Sequence, residues 1–235
     1  MGSRAILRLV AAALWLALCL PCWALARPFR RERFWVRRFL GGIGRIMGLH
    51  VRVEGTPLAD HALYVANHIS WLDILALGGA TAGRFIAKAE IADWGVVGWL
   101  AKLGGAVFVS RDRRSATRNQ ADAVTEALKG RRPVVLFAEG GTGDGLTLEP
   151  FRAPLFVSAG EAGVPVQPVA IDYGPGRARF AWPDGASLAS EAKRLLDRRE
   201  PVPVTLRFLP PLDATRLDRK ELAIRSHAAI AAALS

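Results

Sequence analysis

Beyond residue 50, short apolar runs take turns with helical patterns, and this alternation constrains the fold more than any other feature. Strands are expected at 51–53, 62–66, 84–87, 106–110, 133–138, 166–171 and 202–208. Helices are expected at 71–77, 91–103, 115–129, 153–162, 188–198 and 219–234. Parallel strands need a long crossover between them, and a helix is the usual one. The expected class is therefore α/β: a mixed, largely parallel sheet flanked by helices. With 235 residues, 51% of them hydrophobic, the chain has enough for one sizeable core plus an apolar segment, not for two full domains.

That apolar segment is 9–25, which carries no charge. As a helix it rises ~25 Å, enough to cross or deeply enter a bilayer core of ~30 Å. A cleaved signal peptide is the competing reading, because Ala24-Leu25-Ala26 has the small-x-small form of a cleavage site. Arginine placement argues for an uncleaved anchor. Only Arg4 and Arg8 precede the run, whereas Arg27, Arg30, Arg31, Arg33, Arg37, Arg38 and Arg45 follow it. The positive-inside rule then keeps the downstream body in the cytoplasm, which in a bacterium means anchoring to the inner membrane. Residues 34–49 place apolar side chains at helical spacing among those arginines. Such a helix suits the headgroup zone of a membrane, and equally suits packing on a core. The expected division is 1–49, anchor and basic amphipathic helix, and 50–235, the catalytic body.

The formal net charge is +11, and of 32 basic residues only five are lysines. This balance calls for an anionic partner: nucleic acid, an anionic membrane surface or an acidic carrier protein. Crowding of arginine behind the apolar run favours the membrane, and nucleic-acid motifs are missing. Cys19 and Cys22 have redox-like spacing but sit inside the apolar run, with no second ligand pair, so no metal site is expected.

Chemistry concentrates at Asn67-His68-Ile69-Ser70-Trp71-Leu72-Asp73, at the mouth of an expected strand. Histidine takes up protons near neutral pH, and an aspartate beside it fixes its tautomer. The two meet if His68 lies in the strand-to-helix turn and Asp73 in the first helical turns. Asn67 is then expected near the N-cap of that helix. Ser70 is the one nearby hydroxyl, but no nucleophile elbow surrounds it, so the attacking oxygen is expected to belong to a substrate. Three further clusters follow: Gly105 to Arg111, a strand delivering an arginine to a sheet edge; Phe137 to Gly145, a strand emptying into glycines; and Val164 to Val169, a rigid lead into a strand.

In order and spacing these four blocks resemble those of the glycerolipid acyltransferases typified by 1-acylglycerol-3-phosphate acyltransferase. Asn67, His68 and Asp73 match N-H-x-x-x-x-D, and Gly105, Phe108 and Arg111 match G-x-x-F-x-x-R. Val164 to Val169 matches V-P-x-x-P-V. The resemblance covers about residues 50 to 175. It implies that His68 is the general base on an acceptor hydroxyl, oriented by Asp73. The hydroxyl attacks an acyl thioester of coenzyme A or acyl carrier protein, which is a co-substrate; no metal or bound cofactor is implied. Arg111 and the loop of Glu139, Gly140, Gly141 and Thr142 are implied to bind the acceptor head group, with Asn67 and Lys88 as further substrate-binding candidates.

The third block departs from F-P-E-G-T-R-S: Ala138 replaces its proline, Gly141 its threonine and Thr142 its arginine. Arginine is the side chain suited to bidentate phosphate recognition. Its loss resembles the subgroup that acylates lyso-ornithine lipid, whose head group carries no phosphate, and Asp144 is then placed to pair with the ornithine amine. Lyso-ornithine lipid is thus favoured over lysophosphatidate as acceptor. The alternatives are a thioester hydrolase, in which His68 activates water, and a non-catalytic membrane-anchored lipid or carrier-protein binder.

Overall fold

A computed structural model of the chain describes residues 2–110, 116–182 and 187–235. Its helices are α1 (Ser3–Ala26), α2 (Glu32–Ile46), α3 (Leu72–Thr81), α4 (Gly95–Gly104), α5 (Ala116–Lys129), α6 (Val157–Ala162), α7 (Leu188–Leu196) and α8 (Arg219–Leu234). The strands are β1 (Leu49–Glu54), β2 (Leu63–Ala66), β3 (Arg84–Lys88), β4 (Val107–Val109), β5 (Val134–Phe137), β6 (Val166–Asp172) and β7 (Val202–Phe208). Seven strands form one sheet in the order β1-β7-β6-β2-β5-β3-β4. Every neighbouring pair is parallel except β6 and β7. The α/β class with a mixed, largely parallel sheet is therefore confirmed.

Hydrophobic content sets each strand's place. Leu63, Tyr64, Val65 and Ala66 of β2 are all buried, as both faces of a central parallel strand must be. The outermost β1 buries only Leu49 fully and leaves Val51 and Val53 exposed. Side chains of the central strands divide into two cores, since successive residues point to opposite faces. Tyr64 and Ala66 join α3, Met47 and Ala5 on one face, whereas Leu63 and Val65 join residues of α5, α8 and the 3₁₀ turn Ala153–Phe156 on the other.

Several expected boundaries shift. The helix expected at 91–103 is broken into a 3₁₀ turn, Ala89–Asp93, and α4, because Gly95 takes a left-handed φ of +49°. The helix expected at 153–162 likewise begins as a 3₁₀ turn. The helix expected at 71–77 instead runs on through Gly78 and Gly79 to Thr81. Those glycines weaken a helix in isolation, but here their bare surface lets α2 approach. A Cβ on Gly79 would lie 2.7 Å from the Gly41 Cα, and one on Gly78 would lie 2.4 Å from the Leu40 Cδ1.

The N-terminal helices therefore rest on the body. Trp15 of α1 donates to the Phe39 carbonyl of α2 over 3.2 Å. Arg8 donates to the carbonyls of Leu195 and Leu196 at the end of α7, at 3.1 and 2.8 Å. The rest of α1 is largely uncovered, and it is long and apolar enough to cross a membrane. The expected helix at 34–49 becomes α2, which buries Val36 and Gly44 and exposes its arginines.

The glycine contact gives an asymmetric prediction. Gly79→Ala places its methyl against the Gly41 backbone, which has no side chain to move, and is expected to cost about 1–3 kcal/mol. Gly41→Ala meets the Gly79 Cα at 3.5 Å, an ordinary contact, and gains helix propensity. Thermal unfolding of the two variants should show a lowered midpoint for the first and an unchanged or raised midpoint for the second.

Candidate active site

The site lies where β2, β5 and β3 end, at the carboxyl edge of the parallel strands where α/β folds gather ligands. Beyond β2 the chain turns through Asn67 and His68 and enters α3, whose second residue is Asp73. His68 Nδ1 lies 2.8 Å from Asp73 Oδ2. The same oxygen accepts from the backbone N–H of Ile69 and of Ser70, both at 2.9 Å. Tyr173, just past β6, donates its hydroxyl to the other oxygen over 2.5 Å. Asp73 is completely buried, so these four donors replace the water it has lost.

The acceptor-only carboxylate requires a hydrogen on Nδ1, which leaves the lone pair on Nε2. Among the described residues Nε2 has no hydrogen-bond partner, and the side chain is 16% exposed, enough for a substrate atom to reach it. Phe137 stacks flat beneath the imidazole, with centroids 3.8 Å apart and planes 8° off parallel. Glu139 holds the histidine from its main chain: Oε1 accepts from the His68 N–H at 2.6 Å and Oε2 from the Glu149 N–H at 3.0 Å. Burial raises the Glu139 carboxyl above its ordinary range, and these two amide donors oppose the rise.

Not every candidate lies where the sequence suggested. Asn67 does not cap α3; its side chain bridges to β6, donating to the Ile171 carbonyl at 3.0 Å and accepting from the Ile171 N–H at 2.8 Å. The start of α3 is served instead by Asp73 reaching back to Ile69 and Ser70. Thr142 donates to the Trp182 carbonyl at 3.0 Å, and the Trp182 N–H donates to Ile69 at 2.7 Å. Gly143 donates to the His68 carbonyl, so the glycine loop is latched onto the histidine turn. Gly140 turns the chain with φ +82° against the Arg152 side chain, and Gly141 faces open space.

Asp144 is exposed and accepts from the Thr147 and Leu146 amides, which hold its carboxyl below the usual range. Lys88 ends β3 on the same sheet edge, exposed and 4.0 Å from Glu90. Arg111 lies outside the described residues. Ser70 is fully buried, with its hydroxyl turned to the Leu72 amide, and so presents no nucleophile to a substrate.

Two residues escaped the sequence reading. Tyr173 sits 100 positions from Asp73, and only the pairing of β6 with β2 brings them together. Burial, together with the adjoining Asp73, raises its phenol well above the ordinary value. Arg177 lines a cavity of about 220 Å³ beside the site, with Asn67, Ile69, Glu139, Leu146 and Ile171. The imidazole does not line that cavity, so it adjoins the reacting edge without containing it.

A histidine–carboxylate pair with its free ring nitrogen partly accessible, and with the adjacent Ser70 buried, can take a proton from a substrate hydroxyl. A family model described as Acyltransferase matches residues 50–172, more than half of the chain. This chain belongs to the acyltransferase family. A lyso-ornithine lipid O-acyltransferase of Pseudomonas aeruginosa is 38% identical over 209 residues, 87% of this chain and 78% of the relative. A 1-acyl-sn-glycerol-3-phosphate acyltransferase of Neisseria gonorrhoeae is 40% identical over 136 residues, covering 56% and 53%. Among solved structures, the 1-acyl-sn-glycerophosphate acyltransferase PlsC of Thermotoga maritima superposes with a TM-score of 0.67 at 25% identity, covering 97% of this chain and 95% of that one. The chain is therefore an enzyme of acyl transfer, not a passive binder.

The Tyr173 contact predicts a positioning role. Tyr173→Phe keeps the ring and deletes the donor to Asp73, and is expected to lower kcat about tenfold, equivalent to about 1.4 kcal/mol, with KM little changed. A shifted acid limb in the pH–rate profile accompanies the loss; an unshifted profile with a lowered melting midpoint would make Tyr173 structural only.

Proposed function

We propose that this acyltransferase moves a fatty acyl group from an acyl thioester to the hydroxyl of a lysolipid at the cytoplasmic face of a bacterial inner membrane. The observation that carries this reading is a partly exposed histidine locked through Nδ1 by Asp73, which leaves Nε2 for a substrate, with the nearest serine buried. The acceptor O–H gives its proton to Nε2 as its oxygen attacks the thioester carbonyl, forming a C–O bond. The tetrahedral intermediate then collapses, the C–S bond breaks, and the departing thiolate takes the proton from the imidazolium. Asp73 keeps the ring oriented and offsets its transient positive charge.

Lyso-ornithine lipid is the favoured acceptor over 1-acylglycerol-3-phosphate. Relatives bearing the lyso-ornithine name match over 66% to 78% of their own length, whereas the gonococcal glycerophosphate enzyme matches over 53%. The residue composition agrees: Thr142 stands where a phosphate-binding arginine is otherwise found, and its hydroxyl is turned to the main chain. Exposed Asp144 supplies a carboxylate on the same loop for an ornithine amine. The donor is acyl carrier protein or coenzyme A thioester, and the reaction as written needs neither metal nor bound cofactor. Anionic lipid would meet the exposed arginines that follow α1.

An assay offering both lysolipids with an acyl thioester tests the reading. Ester formation on lyso-ornithine lipid should exceed that on lysophosphatidate, and His68→Ala should lower it by about 10²–10⁴-fold. Turnover of neither lipid, with thiol released all the same, would make the protein a hydrolase.

A further inference from the structure

Helix α4 is apolar throughout, with Lys102 its only charged residue, yet Gly98 is its only buried one. Trp94 at its N-terminus and Val96, Val97 and Trp99 within it are 41%, 65%, 45% and 43% exposed. A helix apolar on all sides is normally covered by protein or lipid, so this uncovered face calls for an occupant.

Topology says which side it faces. The β2-α3-β3 and β3-α4-β4 crossovers move in the same direction across the sheet. With the right-handed sense that parallel crossovers take, they place α3 and α4 on one face, the face on which α2 and α1 rest. Thirteen of the seventeen large apolar side chains exposed among the described residues belong either to α4 with Trp94 or to the stretch from α1 to the start of α2. Arg27, Arg30, Arg31, Arg33, Arg37, Arg38 and Arg45 are all exposed in the same N-terminal stretch. Since one short 3₁₀ turn, Ala89–Asp93, joins the end of β3 at Lys88 to α4, its tryptophan end lies toward the strand ends that carry His68.

We propose that α4 is a second bilayer contact, in which Trp94, Val96, Val97 and Trp99 enter the boundary between headgroups and acyl chains of an anionic membrane. This rests on the membrane-associated reading above. Indoles favour that boundary, and the arginines of the same face draw the protein to anionic lipid. Two contacts, the N-terminal helices and α4, then hold the reacting edge against the surface where a lysolipid presents its hydroxyl.

The test uses the full chain with Cys19→Ser and Cys22→Ser, carrying a polarity-sensitive dye on Val97→Cys or, separately, on Leu14→Cys of α1. Vesicles of phosphatidylethanolamine and phosphatidylglycerol should blue-shift both dyes, and brominated acyl chains should quench both. Trp94→Ser with Trp99→Ser should abolish the Val97 response and keep that of Leu14. The same variant should lose about tenfold in activity on lysolipid in vesicles and less than twofold on lysolipid in detergent micelles. A Leu14 response with no Val97 response overturns the α4 contact and leaves the anchor standing; no response from either removes the membrane reading itself. A blue shift at Val97 that rises with protein concentration in the absence of vesicles assigns the face to a second copy of the chain and overturns the proposal.

Discussion

The carboxylate of Asp73 is the point on which the site depends. A fully buried carboxylate is tolerable only when donors surround it, and its four come from three places: the turn after β2, the approach to α3 and the residue beyond β6. The same four bonds therefore orient an imidazole, start a helix and tie the end of β6 to the end of β2. Glu139 does from β5 what Asp73 does from α3, gripping the histidine by its main chain while Phe137 supports the ring. His68 is thus held on three sides and open at Nε2.

Helix α3 carries this arrangement toward the N-terminal helices. Its first turn holds Asp73, and its last holds Gly78 and Gly79, about 8 Å further along the axis. Those two glycines let α2 lie close enough for Arg37 to donate to the Gly79 carbonyl at 3.2 Å. Whatever fixes α1 and α2 against a surface therefore acts on the same helix that positions the Asp73 carboxylate.

Much of this was legible in the sequence because local pattern carried it. Seven strands appeared where apolar runs stood between helical patterns, and the His68–Asp73 spacing placed one residue in a turn and the other in a helix. What escaped was non-local. Asn67 looked like a helix cap because its neighbours in sequence were considered, whereas its true partner, Ile171, is 104 residues away across the sheet. Tyr173 had no motif to mark it, since its role exists only once β6 lies beside β2. The family resemblance implies ligand-binding roles for Glu139 and Thr142, and the structure adds that their side chains also bond the backbone that shapes the loop. The helix expected at 71–77 runs on through Gly78 and Gly79, and only the close approach of α2 gives those glycines a reason to be there.

In the proposed reaction the attacking oxygen arrives with the acceptor, and no protein atom takes the acyl group. Intact-protein mass spectrometry after incubation with an acyl thioester alone, with no lysolipid present, tests it most directly. The mass should remain that of the unmodified chain. An added acyl group that disappears when lysolipid is supplied would show a covalent intermediate and contradict the account.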